Sequence, residues 1–141
     1  MKQTISPSAD RQEVGDEELR NVIADFLEMG HVDNIVAMFK ADRRYYSWTG
    51  TLLEDERIAV RLGVSVLFEY LVAERPEDVK GAIPGLVSQL AHTNSMVRGE
   101  ALSVLAIIDL EEAHHHARRL LADPDPQVRE IAREIINEQA A

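Results

Sequence analysis

Three segments of the chain align without gaps, and this internal repeat constrains the fold more than any other feature. They read LEDERIAVRLGVSVLF from Leu53, LAHTNSMVRGEALSVL from Leu90 and LADPDPQVREIAREII from Leu121. In each segment a Val-Arg pair follows the leucine by seven residues, and an apolar pair closes the match. A period of roughly 30–40 residues indicates stacked supersecondary units, because one unit cannot bury its apolar face alone.

The spacing of apolar residues predicts that each unit is a pair of helices and that the whole chain is all-α. Apolar residues recur three and four positions apart almost throughout, and no alternating strand pattern interrupts them. In each unit, one helix ends near the leucine and the second begins near the valine. The motif Asp123-Pro124-Asp125-Pro126 explains the turn between them, since each proline disfavours helix in its predecessor and the second can enter the next helix.

The repeat divides the chain into segments. Residues 1–15 are polar, lack a period and are predicted to form a disordered tail, with Asp16 as the N-cap of the first helix and Gly30 at its end. Residues 16–141 are predicted to form one domain, with an N-terminal helix pair at 16–41. The three helical hairpins are expected at about 43–73, 77–108 and 110–139.

The segments LLADPDPQVREIAREII and AIPGLVSQLAHTNSMVRGEALSVL resemble the HEAT repeat, in the short form known as the HEAT-like repeat of phycobilisome lyases. The resemblance covers roughly residues 43–139 and implies an α-solenoid that binds partners. Lyases, metal-dependent hydroxylases and DNA glycosylases share this repeat, so it implies a fold more specifically than a function.

The second helices show how the units are expected to stack. In the last hairpin the apolar residues occupy one side only, which is typical of a capping unit. In the middle hairpin Leu102 and Ala106 add apolar surface opposite the core stripe, and in the first hairpin Leu62 and Val66 do the same. Those two helices are therefore predicted to be sandwiched between neighbours.

The candidate partner surface follows the second helices. An arginine recurs at the same repeat position, where it either grips acidic groups of a partner or binds the preceding turn through Asp55, Asn94 or Asp123. HEAT-like families use an Asp–Arg ladder of this kind. In the segment DRRYYSWTG the tyrosines are expected in the core, whereas Arg44 and Trp48 either pack on the N-terminal helices or contact a partner. The candidate binding residues are Arg61, Ser65, Glu69, Arg98, Leu102, Ala106, Arg129, Arg44 and Trp48.

The net charge of −10 disfavours nucleic acid and favours a basic protein or peptide partner. No part of the sequence has the length and apolarity of a membrane span or a signal peptide, so a cytoplasmic protein with no membrane partner is expected. Its oligomeric state, monomer or homodimer, stays open.

The three adjacent histidines from His114 raise the possibility of a metal site. Consecutive helical residues point about 100° apart, so the three rings cannot converge on one ion. A weak surface site would use Glu111, Glu112 and His115, whereas helix-stabilising contacts would join Glu111 to His115 and Glu112 to His116.

No catalytic motif is found in the sequence, and no cofactor is expected. The sequence favours a non-catalytic protein-interaction module. The alternatives are a HEAT-like lyase or metal- or cofactor-dependent enzyme component, and a nucleic-acid-binding protein.

Overall fold

The structure, a computed structural model, describes the backbone of residues 8–140 and the side chains of residues 15–138. Every regular element in this part of the chain is helical, so the all-α prediction is confirmed. The α-helices are α1 (Ser8–Glu28), α2 (Val32–Ala41), α3 (Thr49–Leu52), α4 (Ile58–Glu74), α5 (Ile83–Gln89), α6 (Ser95–Ile108), α7 (Leu110–Leu120) and α8 (Pro126–Ala140). Two 3₁₀ helices, Arg43–Trp48 and Asp78–Ala82, lead directly into α3 and α5.

Helix α1 begins earlier than the sequence predicts. Asp16 was expected as its N-cap, but the helix starts at Ser8, so that boundary is wrong and residues 8–15 of the predicted tail are helical. Residues 8–15 contain no proline, and their single glycine destabilises a helix by only about 1 kcal/mol. The helix can therefore extend towards the N-terminus beyond Asp16. Residues 1–7 of the predicted tail lie outside the described residues. Gly30 ends the helix as expected, with a positive φ of 85°.

The turns before α4, α6 and α8 share one local geometry. In each turn a side chain accepts a hydrogen bond from the backbone N–H two residues later: Asp55 from Arg57, His92 from Asn94, and Asp123 from Asp125. Such bonds stabilise tight turns without help from secondary structure. The three helices then begin at Ile58, Ser95 and Pro126, two residues before the repeated valine.

The helices α4, α6 and α8, called the second helices below, pack in chain order. Helix α4 contacts α6, and α6 contacts α8, whereas α1 and α2 both pack against α4. The apolar positions of the repeat form the core between these helices and their partners. Its repeated members are Val60, Val64, Leu67, Val97, Ala101, Val104, Val128, Ala132 and Ile135, all of which are buried.

Helices α4 and α6, both predicted to be sandwiched between neighbours, differ in the exposure of their apolar residues. Leu102 of α6 is fully buried, but Leu62 and Val66 of α4 are 57% and 38% exposed. Helix α4 does lie between α1 and α2 on one hand and α6 on the other, but the prediction that Leu62 and Val66 are covered by a neighbour is wrong. Helix α1 approaches α4 through Leu27, whose Cβ lies 2.9 Å from the position of a Cβ built on Gly63. Helix α1 thus packs closely on α4 at Gly63, while Leu62 and Val66 remain partly exposed.

Candidate functional site

The repeated arginines, Arg61, Arg98 and Arg129, bind the turns of their own hairpins. In each case one guanidinium N–H donates to the backbone carbonyl six residues earlier: Arg61 to Asp55 at 2.7 Å, Arg98 to His92 at 2.9 Å, and Arg129 to Asp123 at 2.7 Å. These bonds assign the arginines a structural role at the turns.

Arg98 also joins its hairpin to the next one. Its Nε and Nη2 donate to the two carboxylate oxygens of Asp123, both at 2.8 Å. The Asp123 side chain is only 4% exposed, and the bonds from Arg98 hold the pKa of its carboxyl group below the usual range. Asn94 was expected as the partner of Arg98 in the preceding turn, but its side chain accepts from the Met96 N–H and caps α6 instead.

Arg61 lacks the equivalent ion pair. The repeat position that holds Asp123 in the third hairpin holds His92 in the second. Arg61 is buried, its Nε has no hydrogen-bond partner among the described residues, and its closest carboxylate contact is Glu100 at 4.0 Å. The first junction between hairpins therefore contains a buried guanidinium that is only partly satisfied.

Arg44 and Trp48 pack on the N-terminal helices, which is one of the two alternatives expected for them. The guanidinium groups of Arg20 and Arg44 lie 5.4 and 5.7 Å from the Trp48 ring centroid. Arg44 also forms an ion pair with Asp16 at 3.3 Å. These contacts join α1 to the first hairpin, so neither side chain is assigned to the partner surface.

The adjacent histidines His115 and His116 point in different directions from α7, as expected for consecutive residues of a helix. His115 is exposed, whereas His116 contacts Glu112 through Nε2 at 3.2 Å and Arg119 through Nδ1 at 3.0 Å. The expected Glu112–His116 contact is thus confirmed, whereas the expected Glu111–His115 contact is absent among the described side chains. Among side chains 15–138, no three His, Cys, Asp or Glu residues lie together as a metal site requires, and Glu111, Glu112 and His115 form no such group.

Three of the predicted binding residues do meet in one groove. It crosses all three second helices, has a volume of about 460 Å³, and is called the three-helix groove below. Its lining residues are Ser65, Glu69, Ser103, Ala106, Ile107, Ile131, Glu134, Ile135 and Glu138. Leu102 was also predicted to bind a partner, which is wrong because its side chain is fully buried in the core.

The three-helix groove is acidic with an apolar floor. Glu69, Glu134 and Glu138, called the groove glutamates below, are its charged lining residues, and no basic residue lines it. All three are exposed. Carboxylates grouped around an apolar floor attract a cationic side chain and can pack its aliphatic stem.

A second groove lies on the other side of α4. It has a volume of about 500 Å³ and is called the α2–α4 groove. Its lining residues are Gly30, Val32, Asp33, Val36, Val66, Tyr70 and Glu74. Lys40 forms an ion pair with Glu74, which lowers the pKa of that carboxyl group. This groove was not predicted from the sequence, because α2 lies before the aligned repeats whereas α4 belongs to the first of them.

An exposed apolar row runs along α4 into this groove. It comprises Ile58, Leu62, Val66 and Tyr70, each four residues from the next, with exposed fractions of 63%, 57%, 38% and 55%. Residues four apart lie on one face of a helix. The spacing was visible in the sequence, but the sequence does not show whether a neighbouring helix covers this face.

The helices of the described chain include none that is both long and apolar enough to cross a bilayer. Comparison of the sequence and structure with protein-family models, curated proteins and solved structures gave no match. The function of the chain is therefore inferred from its own geometry.

Proposed function

We propose that the chain is a small HEAT-like α-solenoid that acts as a non-catalytic module and binds a basic segment of another protein. The solenoid proposal is supported by the repeated turn bonds of the arginines and by the packing of α4, α6 and α8 in chain order. Helix pairs that pack mainly on their neighbours are typical of solenoids. The cytoplasmic location expected from the sequence is part of the same proposal.

The observation that carries the binding proposal is the charge of the three-helix groove. The groove glutamates are contributed by α4 and α8, while Ala106, Ile107 and Ile135 supply apolar surface between them. A lysine or arginine side chain placed here would meet carboxylates at its charged end and apolar contacts along its stem. The same glutamates would repel a phosphate backbone, which favours protein over nucleic acid as the partner.

Selection of peptides tests this proposal. A phage library displaying random 12-residue peptides is selected on the immobilised full chain, on the double variant Glu134→Lys/Glu138→Lys, and on the control Glu56→Lys/Glu111→Lys. Both variants change the net charge equally, but Glu56 and Glu111 are exposed outside the groove. We expect peptides rich in lysine and arginine from the parent chain and the control, with binding that weakens as salt rises.

The groove variant should lose this enrichment while its circular dichroism spectrum stays helical. Equal enrichment of basic peptides on both double variants would show that global charge, and not the groove, attracts them. Selection of acidic or uncharged peptides by the parent chain would contradict the proposed partner chemistry.

A further inference from the structure

The two grooves lie on opposite sides of the α4 ridge, and the residues that line them alternate along that helix. Ser65 and Glu69 line the three-helix groove, whereas Val66 and Tyr70, one position later, line the α2–α4 groove. Neighbouring helical residues point about 100° apart, so a bound segment that crosses α4 near these positions can contact both grooves.

The chemistry of this surface changes from one hairpin to the next. In the first hairpin the row Ile58, Leu62, Val66 and Tyr70 is apolar. The equivalent residues of the second hairpin are Ser95, Gly99, Ser103 and Ile107, and those of the third are Pro126, Glu130, Glu134 and Glu138. In the third hairpin all four are exposed. The surface thus offers apolar contacts at α4 and carboxylates at α8.

We propose that the partner segment has two parts: an apolar anchor residue that enters the α2–α4 groove beside Tyr70, and basic residues that contact the groove glutamates. This inference rests on the proposed function and adds an apolar anchor residue and its position relative to the basic residues. A second copy of the chain fits less well, because it would bring another molecule of net charge −10 against an acidic surface.

The spacing of the helices sets the separation of the two parts. Packed helices lie about 8–10 Å apart, so the path from the α2–α4 groove across α4 and α6 to α8 is about 20–25 Å. An extended chain advances about 3.3 Å per residue and spans this path with about seven residues. A helical segment would need about fifteen residues for the same distance. An extended segment of a 12-residue peptide therefore suffices.

The same peptide library tests the anchor, using Tyr70→Asp and the control Val22→Asp. Both residues are exposed, at 55% and 42%, and Val22 lies on α1 outside both grooves. On the parent chain and the control, we expect selected peptides to carry an aromatic or branched aliphatic residue about seven positions from a basic cluster. On Tyr70→Asp the basic residues should persist and the apolar residue should lose its fixed position. A selected peptide should bind Tyr70→Asp at least tenfold more weakly than Val22→Asp.

The outcomes separate the two proposals. Peptides that depend on Glu134 and Glu138 but bind Tyr70→Asp and Val22→Asp equally would overturn the anchor and leave the proposed function intact. Absence of basic peptides from the parent selection would overturn both. Sedimentation velocity tests whether a second copy of the chain occupies the α2–α4 groove instead. A parent chain that is dimeric and becomes monomeric with Tyr70→Asp would assign the groove to that second copy and overturn the anchor.

Discussion

The junction between the second and third hairpins is closed by an ion pair that the junction between the first and second lacks. Arg98 donates two hydrogen bonds to the carboxylate of Asp123, while Arg61, at the equivalent position, finds Glu100 only at 4.0 Å and keeps an unpartnered Nε. Both arginines donate to the backbone carbonyl six residues earlier, and Arg98 also donates to the Thr93 carbonyl at 3.3 Å. One residue of the repeat, aspartate at 123 and histidine at 92, accounts for the difference.

This difference shows that the repeat arginine has two separable roles. Its bond to a turn carbonyl six residues earlier occurs in every hairpin and depends only on the local turn. Its ion pair across the junction depends on the residue that the next hairpin supplies. A turn can therefore keep its geometry while the connection between neighbouring hairpins becomes weaker.

Removal of the Asp123 carboxylate should have the largest effect. Asp123→Ala leaves the Arg98 guanidinium, 13% exposed, without its charged partner and also removes the acceptor of the Asp125 N–H. Loss of one partner of a buried pair costs about 3–5 kcal/mol. We expect a loss of roughly 3 kcal/mol in the free energy of unfolding, measured by urea denaturation. The control Asp78→Ala disrupts a 3.6 Å pair with Arg43, whose side chain is 79% exposed, and should cost less than about 1 kcal/mol. Equal losses in the two variants would contradict the importance of the junction.

Acid should weaken the same junction by a smaller amount, since a protonated Asp123 still accepts hydrogen bonds. Arg98 lowers the pKa of Asp123 in the folded chain, so this stabilisation is present above the unfolded pKa of about 3.9 and disappears as pH falls through the lower folded value. Urea denaturation between pH 7 and 3 should show a steeper loss of stability in the parent chain than in Asp123→Asn. Parallel pH profiles would argue against the assigned pKa shift.

The two glycines of the second helices should respond differently to alanine. A Cβ on Gly63 would lie 2.9 Å from the Leu27 Cβ and 3.3 Å from its carbonyl oxygen, neither of which can move easily. Despite a gain in helix propensity of about 1 kcal/mol, Gly63→Ala should therefore cost about 1–2 kcal/mol. A Cβ on Gly99 meets the terminal methyl group of Ile131 at 3.1 Å, which can rotate away.

The free energy of unfolding of Gly99→Ala should accordingly lie within about 1 kcal/mol of that of the parent chain. Thermal denaturation of both variants, followed by circular dichroism, measures the difference. A larger loss for Gly99→Ala than for Gly63→Ala would reverse the packing order that these distances predict.

One substitution should make the chain more stable than the parent. His92→Asp places a carboxylate at the repeat position of Asp123, where it can pair with Arg61 and still accept the Asn94 N–H. The gain is expected to be about 1 kcal/mol, because the new charge also lies near Glu54, which contacts His92 at 3.4 Å. His92→Asn is the uncharged control. If the aspartate variant is no more stable than the asparagine variant, the missing ion pair is not what distinguishes the junctions.

The sequence predicted the elements that depend on local pattern. The repeated Val-Arg pair placed the turns and the core positions correctly, and residues such as Val60 and Val128 are buried as their spacing indicates. The link from Arg98 to Asp123 was not predicted, because a turn partner 25 residues away cannot be distinguished from a local one such as Asn94.

The binding surface was only partly predictable. Ser65, Glu69 and Ala106 do line the three-helix groove, since residues on the outer side of consecutive second helices share a surface. The exposed row at Leu62 and Val66 was interpreted as buried, because periodicity shows that a helix has an apolar face and not whether another helix covers it. Coverage depends on the angle at which α1 and α2 pack, which no local pattern encodes.

The position of Trp48 gives the molecule a native optical label at one end. It is the single tryptophan of the chain, and the guanidinium groups of Arg20 in α1 and Arg44 in the first hairpin lie 5.4 and 5.7 Å from its ring centroid. Its fluorescence therefore reports whether α1 is docked, whereas circular dichroism reports helix content along the whole chain. Because repeat proteins can lose terminal units before the rest, any separation of the two denaturation curves would mark the N-terminal end as an independent cooperative unit.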